Sequence, residues 1–147
     1  MGFCSIMIDM EKIRPNALLI INKNGKLLAQ KGYDEFTNQS FCRLLGGGIE
    51  FGEYSLIAMK REIKEELGAN ILNEKMLLVI ENIFEFNNKK GHEITFLYSG
   101  DLAEENLYNQ EKIKILDEQD TYAEWINISD IKEGSVILYP KEAVNYL

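Results

Sequence analysis

The sequence predicts an α/β fold, one domain built on a mixed sheet with helices on both faces. Three observations predict it. Apolar runs of strand length stand both before and after a single strongly patterned helix at 55–67. Polar turn signals of hairpin type join several of those runs, so part of the sheet is antiparallel, while strands separated by a helix favour parallel pairing. The chain has 147 residues and is 46% hydrophobic, which suits one core and one domain over 1–147.

The elements follow in order. Residues 17–22 (ALLIIN) read as a buried strand. Asn24-Gly25 is a two-residue hairpin signal, and 26–31 returns as the antiparallel partner. Residues 41–45 form a short strand leading into a glycine-rich turn, Gly46-Gly47-Gly48 and then Gly52. The helix at 55–67 takes Ser55 as its N-cap and Gly68 as its stop, with Leu56, Ile63 and Leu67 as the apolar stripe. Residues 76–86 and 93–99 are two strands around a polar loop at 87–91. Residues 102–119 are charged and weakly patterned and read as a loop. Residues 122–126 are a further strand, Ser129 caps a helical turn, and Pro140 opens a terminal helix ending near Leu147.

Bulk properties narrow the function. The net charge of −8 argues against long nucleic acids, which need a basic face. It does not exclude phosphate substrates, because bound divalent cations become the largest local charges in such a site. No apolar run spans a bilayer, the N-terminus lacks the pattern of a secretory signal, and Ile6 stands where a myristoylation site wants Ser or Thr. Cys4 and Cys42 lack metal-type spacing, so two reduced thiols and a cytoplasmic location are expected. The oligomeric state stays open, a homodimer included.

The chemistry concentrates in 47–69, GGIEFGEYSLIAMKREIKEELGA. Glu62, Glu65 and Glu66 stand at i, i+3 and i+4 of the helix. Relative to Ile63 they project at about −100°, −160° and −60°, beside the buried stripe and so at the edge of a cleft. Three carboxylates packed that closely repel one another unless a cation sits between them. Hard oxygen ligands favour Mg²⁺, with Mn²⁺ as the alternative ion.

This stretch resembles the signature of the Nudix hydrolases. Gly47, Glu53, Arg61, Glu62, Ile63, Glu65, Glu66 and Gly68 fill eight of its fixed places in register. The departure is Ala69, where a larger aliphatic residue is usual, and it is a packing position. The resemblance implies an α/β/α sandwich with a mixed sheet. It implies hydrolysis of a nucleoside diphosphate linked to another moiety, with a nucleoside triphosphate, oxidised ones included, as the leading substrate. ADP-ribose, a nucleotide sugar, or a non-hydrolytic nucleotide-binding module are the alternatives. It also implies a metal held by Glu62, Glu65 and Glu66 with the carbonyl of Gly47, and a general base at Glu65 or Glu66. Such sites are often completed by a further carboxylate in a loop shortly before a Trp-bearing strand, here Glu118, then Asp120; Glu93, which begins a strand beside His92, is another candidate.

Physical reading assigns the remaining residues. Arg61 is expected to fork onto Glu53 and hold the turn against the helix. Gly46 and Gly48 are expected to serve turn geometry. His92 reads as a loop-end surface residue, and Trp125 as core packing more than a base-stacking platform. Tyr33, Phe36, Phe41 and Phe84 carry the same ambiguity. Cys42 lacks a histidine partner that would make it a nucleophile.

Overall fold

The structure, a computed structural model, describes residues 11–86 and 88–147. Cys4, Ile6 and the rest of the N-terminal reading lie outside those residues, as does Asn87 of the hairpin loop.

Among the described residues, ten strands and two α-helices form the fold. β1 (Ile13–Ile20) lies between β5 (Leu45–Gly48), antiparallel, and β7 (Lys89–Leu102), parallel; β6 (Ile71–Phe86) pairs antiparallel with β7 at the edge. A second sheet runs β10-β4-β3-β9-β8, from Val136–Tyr139 through Gln39–Arg43, Lys26–Asp34 and Tyr122–Asn127 to Lys112–Lys114. β2 (Asn22–Lys23) pairs with β3. The β10–β4 pair is parallel, so both sheets are mixed.

Side-chain alternation explains why helices cover both faces. Successive strand residues point to opposite sides. Leu19 and Ile21 enter one apolar core and Ile20 the other; Leu28 enters the first, and Leu27 and Ala29 the second. A strand buried on both faces must be covered twice. The first core is closed by α1 (Ser55–Leu67), through Ala58, Met59, Ile63 and Leu67. Each large side chain buried there contributes about 1.5–3 kcal/mol. The second core is closed by α2 (Ile128–Glu133), through Ile131, and by a terminal 3₁₀ turn (Lys141–Tyr146), through Ala143. This is the α/β/α sandwich with mixed sheets that the sequence predicts.

Several local expectations need correction. The glycine run 46–48 is a strand, β5, and the turn comes later, around Gly52 at φ 85°. Ser55 is the first helical residue, not the cap; Tyr54 caps, and the Ser55 hydroxyl is spent on a 2.6 Å hydrogen bond with the Tyr98 hydroxyl. Asn127, not Ser129, precedes α2. The loop at 87–91 shrinks because β6 and β7 stay paired out to Phe86 and Lys89. The terminal helix is a short 3₁₀ turn, and 102–119 contains a 3₁₀ turn (Glu105–Asn109) and β8. The Asn24-Gly25 hairpin is as expected, with both residues at positive φ. So is the stop at Gly68, left-handed at φ 67°.

Candidate active site

β5 and α1 build the site between them. Gly47 lies opposite Ala17 on β1, and α1 passes directly over β5. A Cβ at Gly47 would sit 2.3 Å from the Glu62 carboxyl carbon, so only glycine leaves that carboxylate its place. Gly46 has a different reason to be glycine. Its φ is 136°, and a Cβ there would lie 2.1 Å from the carbonyl oxygen of Ala17. Its backbone N–H donates to Glu66 Oε1 at 3.1 Å.

Arg61 organises the negative charge. Its Nε and Nη2 donate to the two oxygens of Glu53 at 2.8 and 2.9 Å, the bidentate fork expected from the sequence. Nη2 also donates to the Gly48 carbonyl at 3.0 Å. Glu53 in turn accepts from the backbone N–H of Glu50 at 3.0 Å. The loop from Gly48 to Glu53 is therefore tied to the helix through one side chain. The Arg61 hydrogen bonds, with that of Glu50, pull the Glu53 carboxyl down to about 2. The same bonds raise the Arg61 guanidinium.

Arg61 does more than the fork. Its Nη1 donates to Glu62 at 3.0 Å and to Glu65 at 3.2 Å. A guanidinium thus already sits between two of the three proposed metal ligands. Among the described residues no three His, Cys, Asp or Glu side chains close around one point as a formed metal cage. The donor chemistry still fits a divalent cation: hard carboxylate oxygens, closely spaced and short of positive charge. Glu62 is only 6% exposed. Burial raises its carboxyl, with Arg61 opposing and Glu65 adding to the rise. Burial also pushes the Glu66 carboxyl up to about 8; the Gly46 hydrogen bond opposes this, while the charges of Glu62, Asp117 and Glu118 reinforce it.

The remaining candidates separate clearly. Glu118 is brought near Glu66, because the backbone N–H of Leu116 donates to the Glu66 carbonyl at 2.8 Å and anchors the acidic loop to the end of α1. Asp117 arrives with it, a neighbour the sequence reading passed over. Asp120 is exposed at φ 54°. Glu93 is engaged by Arg14 at 2.8 Å. His92, half-buried, pairs with Ile13 and Ile83 in the sheet. Arg43 also escaped the sequence reading. Its charge faces Glu93 and Glu118, and its guanidinium lies 5.3 Å from the Phe41 ring centroid. Its place at the end of the strand before the glycine run was the available signal.

Tyr33 and Phe36 are exposed, while Phe41 and Phe84 are half-buried. Trp125 packs against the first core and stacks on Tyr108 at 5.4 Å, as core packing requires. The Cys42 thiol is fully buried and pushed up to about 12, which removes it as a nucleophile.

With this geometry in place, likeness to known proteins decides the family. The family model described as NUDIX domain matches residues 12–144. The chain belongs to the Nudix hydrolase family, whose members act on phosphoanhydride bonds. Solved Nudix structures share the fold. A MutT NUDIX hydrolase from Burkholderia pseudomallei is 21% identical, with 81% of this chain and 86% of that one covered at a TM-score of 0.60. A NUDIX hydrolase from Nitrosomonas europaea is 19% identical, with 92% and 87% covered at 0.61. A MutT protein from Bacillus halodurans is 16% identical, with 90% and 80% covered at 0.58. No curated protein sequence matches the chain. No described helix of this Nudix protein is long and apolar enough to cross a membrane.

Proposed function

We propose that this Nudix protein is a Mg²⁺-dependent pyrophosphohydrolase of a nucleoside diphosphate linked to another moiety, with a nucleoside triphosphate as the first candidate. The single observation that carries this is the cluster on α1: Glu62 pressed against Gly47, Glu66 held by Gly46, and Glu65 beside them, with one guanidinium among three carboxylates. The resemblance to small single-domain Nudix hydrolases puts the triphosphate first.

Glu62, Glu65 and Glu66 would hold the divalent ion with the carbonyl of Gly47, and Glu118 would complete the set. Such an ion, when bound, neutralises developing phosphate charge and lowers the pKa of a water. The protein's own contribution is positional. Arg61 and Glu53 fix the loop over the site, and Gly46 orients the Glu66 carboxylate. One of Glu65 and Glu66 accepts the proton of the attacking water. Arg43 faces the same acidic loop and supplies a cation for substrate phosphates.

The test is release of phosphate and pyrophosphate from nucleoside triphosphates, oxidised triphosphates, nucleotide sugars and ADP-ribose. Wild type and Glu66→Gln are compared with Mg²⁺ and with chelator. Turnover that needs both Mg²⁺ and Glu66 supports the reading and names the substrate class. Nucleotide binding with no turnover on the whole panel overturns it in favour of a non-hydrolytic module.

A further inference from the structure

A pair of like charges lies in the second sheet, away from β5 and α1. In the β2–β3 hairpin, Lys23 and Lys26 are direct cross-strand partners on either side of Asn24-Gly25. Like charges placed directly opposite each other destabilise a strand pair. Among the described residues neither lysine forms an ion pair. The pair stands out in a chain of net charge −8, with 24 acidic residues available as partners.

Both lysines line a half-open surface cavity of about 490 Å³, which Lys112, Asn24, Asn109 and Trp125 also line. That volume is within the range of small-ligand sites. One wall is aromatic. Tyr108 stacks on Trp125 with the rings 26° from parallel, and its hydroxyl accepts from the Leu102 backbone N–H at 2.8 Å. The Trp125 indole N–H points to the Leu107 carbonyl at 3.4 Å. Lys23 Nζ lies 4.4 Å from the Tyr108 ring centroid. Glu111 and Glu124 also line the cavity, so cations outnumber anions by one, and a ligand of low net charge is preferred to a long polyanion.

We propose that this cavity is a second ligand site, which takes a small phosphate-bearing molecule of nucleoside-monophosphate size. Lys23 and Lys26 hold the phosphate between them, the side-chain amides of Asn24 and Asn109 donate to it, and the Trp125–Tyr108 pair walls the organic part. The site is separate from the carboxylate cleft. Gly47 pairs with Ala17, and Lys23 lies six residues further along the chain from Ala17. At about 3.3 Å per extended residue that is at most roughly 20 Å, and none of the residues lining the cavity belongs to α1 or β5. The proposal does not depend on hydrolysis.

Trp125 is the chain's one tryptophan, so its fluorescence reports on the cavity directly. The full-length protein is titrated with AMP and, separately, with adenosine, both in chelator so that no divalent ion bridges phosphate to the α1 carboxylates. The expected result is a saturable change with AMP, absent with adenosine. It is weakened at least tenfold in Lys23→Ala/Lys26→Ala and retained in Glu65→Gln. Thermal melting of the double-lysine variant should be no lower than that of wild type, because a repulsion has been removed. No saturable change with AMP, an equal change with adenosine, or an undiminished change in the double-lysine variant would each overturn the assignment. A hydrolase inactive on every substrate could still pass this test, so the two readings fail separately.

Discussion

The carboxylate of Glu62 occupies the space that any side chain at Gly47 would need, its carboxyl carbon 2.3 Å from where a Cβ would stand. The obstacle is the far end of a flexible side chain, so Gly47→Ala should fold with little loss of stability while displacing that carboxylate. Gly46→Ala is the contrast. There a Cβ meets backbone, 2.1 Å from the Ala17 carbonyl oxygen, at a φ of 136°. That variant should lose more than about 2 kcal/mol. Melting curves and Mn²⁺ titrations on both variants check this: Gly47→Ala should melt near wild type but bind the ion at least tenfold more weakly. Unchanged Mn²⁺ affinity would remove Glu62 from the ligand set.

Arg61 joins the loop to the helix through a planar fork, so charge alone should not replace it. Arg61→Ala removes hydrogen bonds to Glu53, Gly48, Glu62 and Glu65 together. It should cost about 2–3 kcal/mol and most of the activity. Arg61→Lys keeps the charge and loses the fork, and should recover less than half of the lost stability. Denaturant unfolding of the three proteins decides; full recovery by lysine would mean the charge matters and the geometry does not.

Much of this site was legible in sequence because it is local. Glu62, Glu65, Glu66 and Arg61 share one helix, whose period fixes their directions, and Glu53 and Gly47 precede it at fixed spacing. The two-faced core was also legible, as continuous apolar runs at 17–22. What escaped depends on distant partners. β10 is only four residues, VILY, and is a strand because it pairs in parallel with β4, almost a hundred positions earlier in the chain. Ser55 has the residue type of a cap, but Tyr98, brought in by β7, takes its hydroxyl. Asp117 and Arg43 meet the site only after the acidic loop docks on α1 through Leu116 and Glu66. The glycine run misled because flexibility and close approach look alike in one letter. Here β1, α1 and β5 pack so closely that two of the three glycines leave no space for a Cβ.

Glu66 makes the metal-free protein sensitive to alkali. Folded Glu66 keeps its proton up to about pH 8, against an ordinary value of 4.5. Between those values the folded state binds more protons than the unfolded one, so stability falls as pH rises through that window and levels off above it. The loss is a few kcal/mol at most. In chelator, wild type should lose stability from pH 5 to pH 8, and Glu66→Gln should show a flatter profile. Parallel profiles for the two proteins would mean that Glu66 ionises freely in the fold.

Glu53 gives the opposite slope at acid pH. Its folded value, about 2, lies below the ordinary 4.5, because Arg61 donates to the ionised form. Its contribution is therefore fully present above about pH 4.5 and is lost as pH falls toward 2. Glu53→Gln retains the shape but accepts from Arg61 through one oxygen without charge, so it should be less stable than wild type at pH 7. The gap between the two should shrink steadily below pH 4.5. Urea unfolding at pH 7, 5 and 3.5 measures it directly. A gap that stays constant down to pH 3.5 would show that the fork stabilises through shape alone, and that the charge on Glu53 adds nothing to holding the loop over the α1 carboxylates.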